Sequence, residues 1–383
     1  MSTVSGRWPF NCCLDMKIKG KKVAVLMSGG VDSSVAAVLL QQQGFEVIGI
    51  TLQLWDYDTV ARNPRGEQGC CDISQQIDAR HVCAQIGVPH YVLDLRKDFR
   101  DGVVHPYERA YLDGITPNPC VWCNSKVKWG AVLPRAAQMG FDYIATGHYA
   151  NIVRGRNGVR LEKGDDPAKD QSYALWEISK QALEKTVLPL GHKTKTEIRR
   201  IAADLELKTA HKSESQEVCF IPDTYDQYLR ELYPDEIERI GAGDIVTTAG
   251  EHKGMHSGFF SYTIGQRKGL NISDGKGPYY VTEIQRDSNR VIVGADQELF
   301  RPGLIAHSLN WVSFDEPKKP ERCTVKIRYN DRGVPATAFP IENGRLEIRF
   351  RSPQRAVTPG QSVVWYKGRA VWGGGMIARA IVR

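Results

Sequence analysis

A short apolar run, Val23-Ala-Val-Leu-Met27, passes without a linker into Ser28-Gly29-Gly30-Val31-Asp32-Ser33-Ser34. Ser33 to Gln43 then reads as a helix with an apolar face at Val35, Val38 and Leu39. A strand too short to be a helix, a glycine turn and a helix commit this part of the chain to a β–loop–α unit with the strand buried in a parallel sheet. Gly29 and Gly30 let the backbone bend tightly and bring N–H groups close to an anion. Ser28, Ser33 and Ser34 add hydroxyls, and the helix N-terminus adds partial positive charge. The Gly-Lys-Ser/Thr ending of a Walker loop is missing. A glycine pair after a strand is often only a turn, but the full pattern in this setting reads as a nucleotide-binding loop, with Asp32 placed to hold a magnesium ion on the phosphates.

The same alternation continues. Val47 to Leu52, Tyr91 to Leu95 and Tyr143 to Thr146 read as strands, and Ile73 to Ile86 as a helix. The fold class is therefore α/β, a parallel sheet with helices on both faces. Ligands of such sheets bind beyond the carboxyl ends of the strands, where both the Ser28 loop and Thr146-Gly147-His148 fall. Thr194-Lys-Thr-Glu197 is a capping box before a helix with apolar Ile198, Ile201, Ala202 and Leu205. Arg345 to Phe350 alternates with period two after an Asn343-Gly344 turn, and Val363 to Tyr366 and Met376 to Val382 read as further strands of a small barrel or sandwich. The expected division is a 1–20 extension, a 21–210 catalytic domain, a 211–285 central domain and a 286–383 β-barrel.

The 383 residues suffice for about two or three domains. No apolar run reaches the length of a membrane span, and residues 1–22 carry no signal-peptide core, so the reading is a cytoplasmic protein with no membrane partner. Nine cysteines in a chain of this size read as reduced thiols rather than a disulfide framework. That plain reading holds for Cys12, Cys13, Cys83 and Cys323, and the Cys70-Cys71 pair reads as structural. Between Arg301 and Arg383 there are 15 Lys and Arg against 6 Asp and Glu, although the whole chain is only +7. A basic C-terminal third suits a nucleic-acid contact; the other reading is a solvated face with no partner. His252 and His256 without further ligands read as surface or hydrogen-bonded residues.

Three cysteines stand apart from the rest. Cys120 and Cys123 lie in Thr116-Pro-Asn-Pro-Cys-Val-Trp-Cys-Asn124, where Pro117 and Pro119 stiffen the approach. Cys219 lies in Ser215-Gln-Glu-Val-Cys-Phe220. Lys126 and Lys128 are close enough in sequence to lower a thiol pKa. A phosphate loop together with such cysteines points to activation of a substrate by ATP followed by attack of sulfur.

The loop resembles the signature of the ATP pyrophosphatases, which cleave ATP between the α and β phosphates. Thr116-Pro-Asn-Pro-x-x-x-Cys-Asn124, Ala145-Thr-Gly-His-Tyr149, Lys169-Asp-Gln-Ser-Tyr173, Ser215-Gln-Glu-Val-Cys-Phe220, Tyr262-Thr-Ile-Gly-Gln-Arg-Lys-Gly-Leu270 and Val357-Thr-Pro-Gly-Gln361 resemble the bacterial and mitochondrial tRNA-specific 2-thiouridylases. The resemblance runs from about Lys21 to the C-terminus. It implies a transferase that thiolates the wobble uridine of Lys, Glu and Gln tRNAs, using ATP with Mg2+ and sulfur from a cysteine desulfurase relay. It implies that Cys219 carries a persulfide, that Cys123 is the assisting nucleophile, and that a transient Cys123–Cys219 disulfide forms. It puts Leu26, Met27, Ser28, Gly29, Gly30, Val31, Asp32, Ser33, Leu52 and Gly147 at ATP-contact positions. Asn118, Pro119 and Cys120 fall at the target base, and His148, Lys169, Asp170, Gln171, Arg328, Tyr329 and Gln361 at the tRNA.

One position departs from that pattern: Cys120 stands where the family has Asp. The change creates Cys-x-x-Cys plus a distant third cysteine, so the alternative to the persulfide is a [4Fe-4S] cluster held by Cys120, Cys123 and Cys219. Two further readings stay open on the sequence. An amide-forming ligase of the same loop group would leave the cysteines dispensable, and a non-catalytic RNA-binding protein would have no use for the intact loop.

Overall fold

The computed structural model describes Ile18 and residues 20–55, 73–156, 158–212, 218–221 and 224–382. Most of the expected N-terminal extension lies outside those residues, as do Cys12, Cys13, the Cys70-Cys71 pair and Ser215-Gln-Glu217. Five parallel strands form the first sheet: β1 (Lys22–Leu26), β2 (Glu46–Gln53), β3 (His90–Asp94), β4 (Tyr143–Ala145) and β7 (Thr186–Val187), in the order β3-β2-β1-β4-β7. Side chains alternate across β1. Val23 and Val25 enter one core, with Met27 just beyond the strand, while Ala24 and Leu26 enter the other. Burial on both faces is why the run is apolar without a break.

Helix α1 (Val31–Gln42) starts two residues before the Ser33 expected from sequence, with Gly30 as its N-cap. It is buried almost all round, because the sheet covers one side and the helix Lys195–Asp204 another. That second helix opens on the expected capping box. Glu197 N donates to Thr194 Oγ1 at 3.3 Å, and Thr194 N donates to Glu197 Oε2 at 2.7 Å. Ile198, Ile201 and Ala202 are buried against α1 and its neighbours.

The stretch that reads as mixed in sequence contains the helices Tyr225–Leu232 and Pro234–Ile240 and a four-stranded sheet. Its strands are β8 (Gly243–Thr247), β9 (His252–His256), β10 (Tyr280–Gln285) and β11 (Arg290–Gly294), in the order β10-β11-β8-β9. The expected boundary at 285 falls inside the β10–β11 hairpin. Six strands then close into a barrel: β12 (Phe300–Trp311), β13 (Glu321–Lys326), β14 (Val334–Ile341), β15 (Arg345–Arg355), β16 (Ser362–Lys367) and β17 (Ala370–Ile381). Pairing of β12 with β17 completes the circuit. The catalytic domain adds a hairpin, β5 (Ala150–Gly155) and β6 (Gly158–Lys163), whose Glu162 pairs with Ala370 of β17.

Strand β17 begins six residues before the expected Met376. Gly373-Gly374-Gly375 hides it from a propensity reading, and the barrel explains the glycines. A Cβ on Gly374 would sit 2.4 Å from the Trp176 ring, and one on Gly373 would sit 2.4 Å from Asn310 O. Trp176 is fully buried, donates from Nε1 to Ser362 Oγ at 2.9 Å, and wedges the catalytic domain onto the barrel. Asn310 Nδ2 donates to Trp176 O at 2.7 Å and Ile178 O at 3.0 Å, tying β12 to the same segment. Gly374→Ala is expected to destabilise the protein by about 1–3 kcal/mol through overpacking, read as a lower urea midpoint with early separation of the two domains.

Candidate active site

The phosphate loop is closed by its own serines. Ser28 N donates to Ser33 Oγ at 3.2 Å, while the Ser33 and Ser34 hydroxyls donate to Gly30 O at 3.1 and 2.9 Å. Thr209 Oγ1 donates to Ser34 Oγ at 3.1 Å from outside the loop. Gly29 has φ +67°, and a Cβ there would lie 2.3 Å from Gln75 O, so this position takes only glycine. No side chain caps α1 at Gly30. The first-turn N–H groups of a helix lack intrahelical partners and suit an anion. Leu26 and Leu52 are buried on the neighbouring strands β1 and β2 and form the apolar floor beside the loop.

The sheet order reverses between β1 and β4, and the residues after β4 come back onto α1 at that crevice. A Cβ on Gly147 would lie 2.8 Å from Asp32 C and Ser33 N, so the strand end touches the first turn of α1 backbone to backbone. Tyr149 OH donates to Asp32 Oδ1 at 2.7 Å, and Lys195 Nζ donates to both Asp32 oxygens at 2.8 and 2.7 Å. An ammonium thus holds the carboxylate expected to bind magnesium. A dication beside it would meet strong repulsion, so the side chains as they stand do not fit a magnesium ion on Asp32. Tyr149 closes the Ala145-Thr-Gly-His-Tyr149 motif, but Lys195 does not stand out in sequence. The lysine is 163 positions from its partner, and its only local mark is its place just inside the capping box. Lys212 is a second such residue, donating to Gly29 O at 3.2 Å and to Asp78 Oδ2 at 2.7 Å.

The cysteine side of the site is built by all three domains. Thr116 N donates to Pro359 O at 3.2 Å, and Gln361 Nε2 donates to Thr116 O and Pro117 O at 3.0 and 2.9 Å. Thr116 Oγ1 donates to Thr263 Oγ1 of the central domain at 3.3 Å. Asn118 then stands at the N-cap position of the short helix Pro119–Trp122, without a side-chain cap bond, and that helix runs into the π-helical segment Cys123–Val132. Pro119 is buried, Cys120 is exposed, and Cys123 is half-buried against the main core. Cys219 is half-buried against the same core, and Phe220 anchors it. The Phe220 ring lies 5.6 Å from Trp55, 5.9 Å from Phe99 and 4.8 Å from Tyr107, centroid to centroid.

Among the described residues no three His, Cys, Asp or Glu side chains gather to hold a metal ion. Cys120, Cys123 and Cys219 therefore do not form a cluster ligand set in this structure; Cys120 faces solvent while the other two pack inward. Lys128 Nζ donates to Asn124 Oδ1 at 2.9 Å, and Lys126 lies 5.2 Å from the Trp122 ring centre.

His148 joins the two halves. Its Nδ1 lies 2.7 Å from Thr146 Oγ1, and its ring lies 5.9 Å from that of Trp129 in the Cys123–Val132 segment. Burial, with the Lys128 charge adding to it, pushes the imidazole pKa well below its ordinary value, so His148 is neutral at neutral pH. Of the remaining residues assigned to tRNA by resemblance, several have partners within the chain. Asp170 is buried, accepts from Gly164 N and Ser172 N at 3.1 Å each, and faces Lys326 Nζ at 3.8 Å. Gln171 Oε1 accepts from Tyr149 N at 2.9 Å, and Arg328 Nε donates to Asp331 Oδ1 at 3.3 Å. Lys169 is half-exposed, and Tyr329 is exposed with its ring 6.3 Å from that of Tyr173. His256 is buried and accepts from Gly258 N at 3.1 Å, and His252 faces Asp244 at 3.3 Å.

A phosphate loop at the switch point of a parallel sheet, joined through a small mixed domain to a closed β-barrel, defines a three-domain nucleotide-dependent enzyme. Family models match in that order: a tRNA methyl transferase HUP domain over residues 21–223, a tRNA methyl transferase PRC-barrel domain over 233–295 and an aminomethyltransferase beta-barrel domain over 301–377. The tRNA-specific 2-thiouridylase MnmA of Clostridium beijerinckii is 44% identical over 362 residues, covering 94% of this chain and 99% of the relative. That of Carboxydothermus hydrogenoformans is 45% identical over 368 residues, covering 94% and 98%. The chain belongs to the tRNA-specific 2-thiouridylase family. Among solved structures, the U34-tRNA thiolase NcsA from Methanococcus maripaludis with its [4Fe-4S] cluster is 18% identical, covers 59% of this chain and 68% of its own, and has a TM-score of 0.35. So slight a likeness carries nothing about a cluster to this chain.

Phe220→Ala removes the anchor beside Cys219 without touching the phosphate loop. Thiolation turnover is expected to fall about tenfold or more from mispositioning, with tRNA affinity unchanged in filter binding.

Proposed function

We propose that this protein catalyses ATP-dependent 2-thiolation of the wobble uridine in Lys, Glu and Gln tRNAs, with the sulfur supplied by a cysteine desulfurase relay. The observation that carries the reading is one run of contacts from phosphate loop to cysteine. It passes from Asp32 to Tyr149, through the adjoining His148 to Trp129, and along one helical segment to Cys123. A nucleotide-activating site and a thiol site in such continuity suit a reaction whose first product is attacked by sulfur.

The chemistry accounts for both halves. A uracil carbonyl has no leaving group. Attack of O2 on the α-phosphorus of ATP expels diphosphate and turns O2 into part of an adenylate. The outer sulfur of a Cys219 persulfide then attacks C2, and AMP leaves with the C2–O2 electron pair. Cys123 thiolate attacks Cys219 Sγ and frees the 2-thiouridine, and the resulting Cys123–Cys219 disulfide is reduced before the next cycle. The base must leave the anticodon stack to reach this site. Asn118 and Pro119, directly after the Thr116-Pro117 backbone that Gln361 holds from the barrel, are suited to receive it. Cys120 is exposed whereas Cys123 and Cys219 are half-buried against the main core, a difference that supports the persulfide reading.

Cys123→Ser and Cys219→Ser are each expected to abolish 2-thiouridine, measured by mass spectrometry of digested tRNA, with tRNA binding retained. Full activity in either variant, or release of ADP and phosphate instead of AMP and diphosphate by the wild type, would overturn this route. The basic barrel is expected to grip the tRNA backbone. Arg328→Ala, Arg349→Ala and Arg351→Ala together should weaken binding several-fold and flatten the salt dependence by roughly one unit of slope for each phosphate that is no longer neutralised. An unchanged slope would mark that face as solvated surface only.

A further inference from the structure

The Asp32–Lys195 pair is the feature the reaction scheme leaves unused. The Lys195 side chain is only 11% exposed, and its ammonium lies on both oxygens of Asp32 in the first turn of α1. The ring of Tyr149 packs beside it, 5.8 Å from Nζ to the centroid. The backbone at its root is fixed, because Lys195 N donates to Asp166 Oδ2 at 3.0 Å and the capping box holds the turn. Adjustment is confined to the methylene chain and the ammonium. A bare Asp32 carboxylate at the mouth of an anion cradle would repel polyphosphate, yet the loop has no lysine of its own to offset it.

We propose that Lys195 is the side-chain cation that binds the β and γ phosphates of ATP, with Asp32 as its tether beside the loop. The inference rests on the ATP reading above and deepens it. When the bond between the α-phosphorus and the bridging oxygen breaks, the electron pair goes to the departing diphosphate. The Lys195 ammonium donates a hydrogen bond to that growing charge. Lys195 then occupies the role that the sequence assigned to a divalent ion on Asp32.

The test uses the full chain and calorimetric titration with AMP, ATP and inorganic diphosphate at one fixed magnesium concentration. The proteins are wild type, Lys195→Met, Lys195→Arg, Asp32→Asn and the Lys195→Met/Asp32→Asn double variant. Lys195→Met is expected to weaken ATP and diphosphate binding by about tenfold or more, the loss of one charge-assisted hydrogen bond. AMP, which lacks those phosphates, should bind as before, and Lys195→Arg should recover part of the loss. The double variant should stay weak, because the ammonium itself is gone. Recovery of diphosphate binding in the double variant would show that Lys195 only offsets Asp32, and an equal loss of AMP binding would show general distortion; either result overturns the proposal. If Lys195→Met fails to fold, the Arg and double variants carry the same comparison. A wild-type protein that binds neither ATP nor diphosphate would instead overturn the ATP reading, whereas equal binding by wild type and Lys195→Met counts against Lys195 alone.

Discussion

The backbone of Gly147 lies against the first turn of α1 with no room for a Cβ, and much of the catalytic half depends on that contact. It fixes the end of β4 against the helix N-terminus at the point where the sheet order reverses. Because the two backbones touch, the residues that follow Gly147 are carried across the mouth of the phosphate loop. Tyr149 reaches Asp32, and His148 reaches the segment that begins at Cys123. A side chain at 147 would push these groups apart by the width of a methyl, and a reaction that hands an activated base to a thiol tolerates little such separation.

The barrel does more than present positive charge. Gln361 and Pro359 hold the Thr116-Pro117 turn from the barrel side, and Trp176 is seated between Ser362 and the glycines of β17. The loop that leads into Cys123 is therefore braced by the domain expected to hold tRNA. Glu108 gives the central domain a comparable hold. It is fully buried and accepts from Tyr228 OH at 2.7 Å and Tyr233 OH at 2.6 Å, fastening the helices that follow Cys219 to the catalytic domain. Breaking one partner of such a buried carboxylate leaves it unmet in the core, which is costly. Both cysteine segments are thus positioned by contacts far from them in sequence.

The sequence by itself determined the parallel sheet, the loop at its edge, the capped helix after Thr194 and the barrel's period-two strands. These are local patterns. A buried strand needs an unbroken apolar run, a cap needs Thr and Glu three apart, and an exposed barrel face needs alternation. What it did not disclose was set by contacts across long stretches of chain. The glycine run at Gly373 reads as a break in a strand until Trp176 is seen against it. The hairpin β10–β11 belongs with β8 because of pairing, not composition. Asp32 reads as a metal ligand until Lys195 is found on both its oxygens, and nothing local in the sequence tells that Asp170 accepts from Gly164 N and Ser172 N. Local chemistry named the loop and the cysteines; only tertiary packing decided which charge neutralises which, because that depends on distances the chain order does not contain.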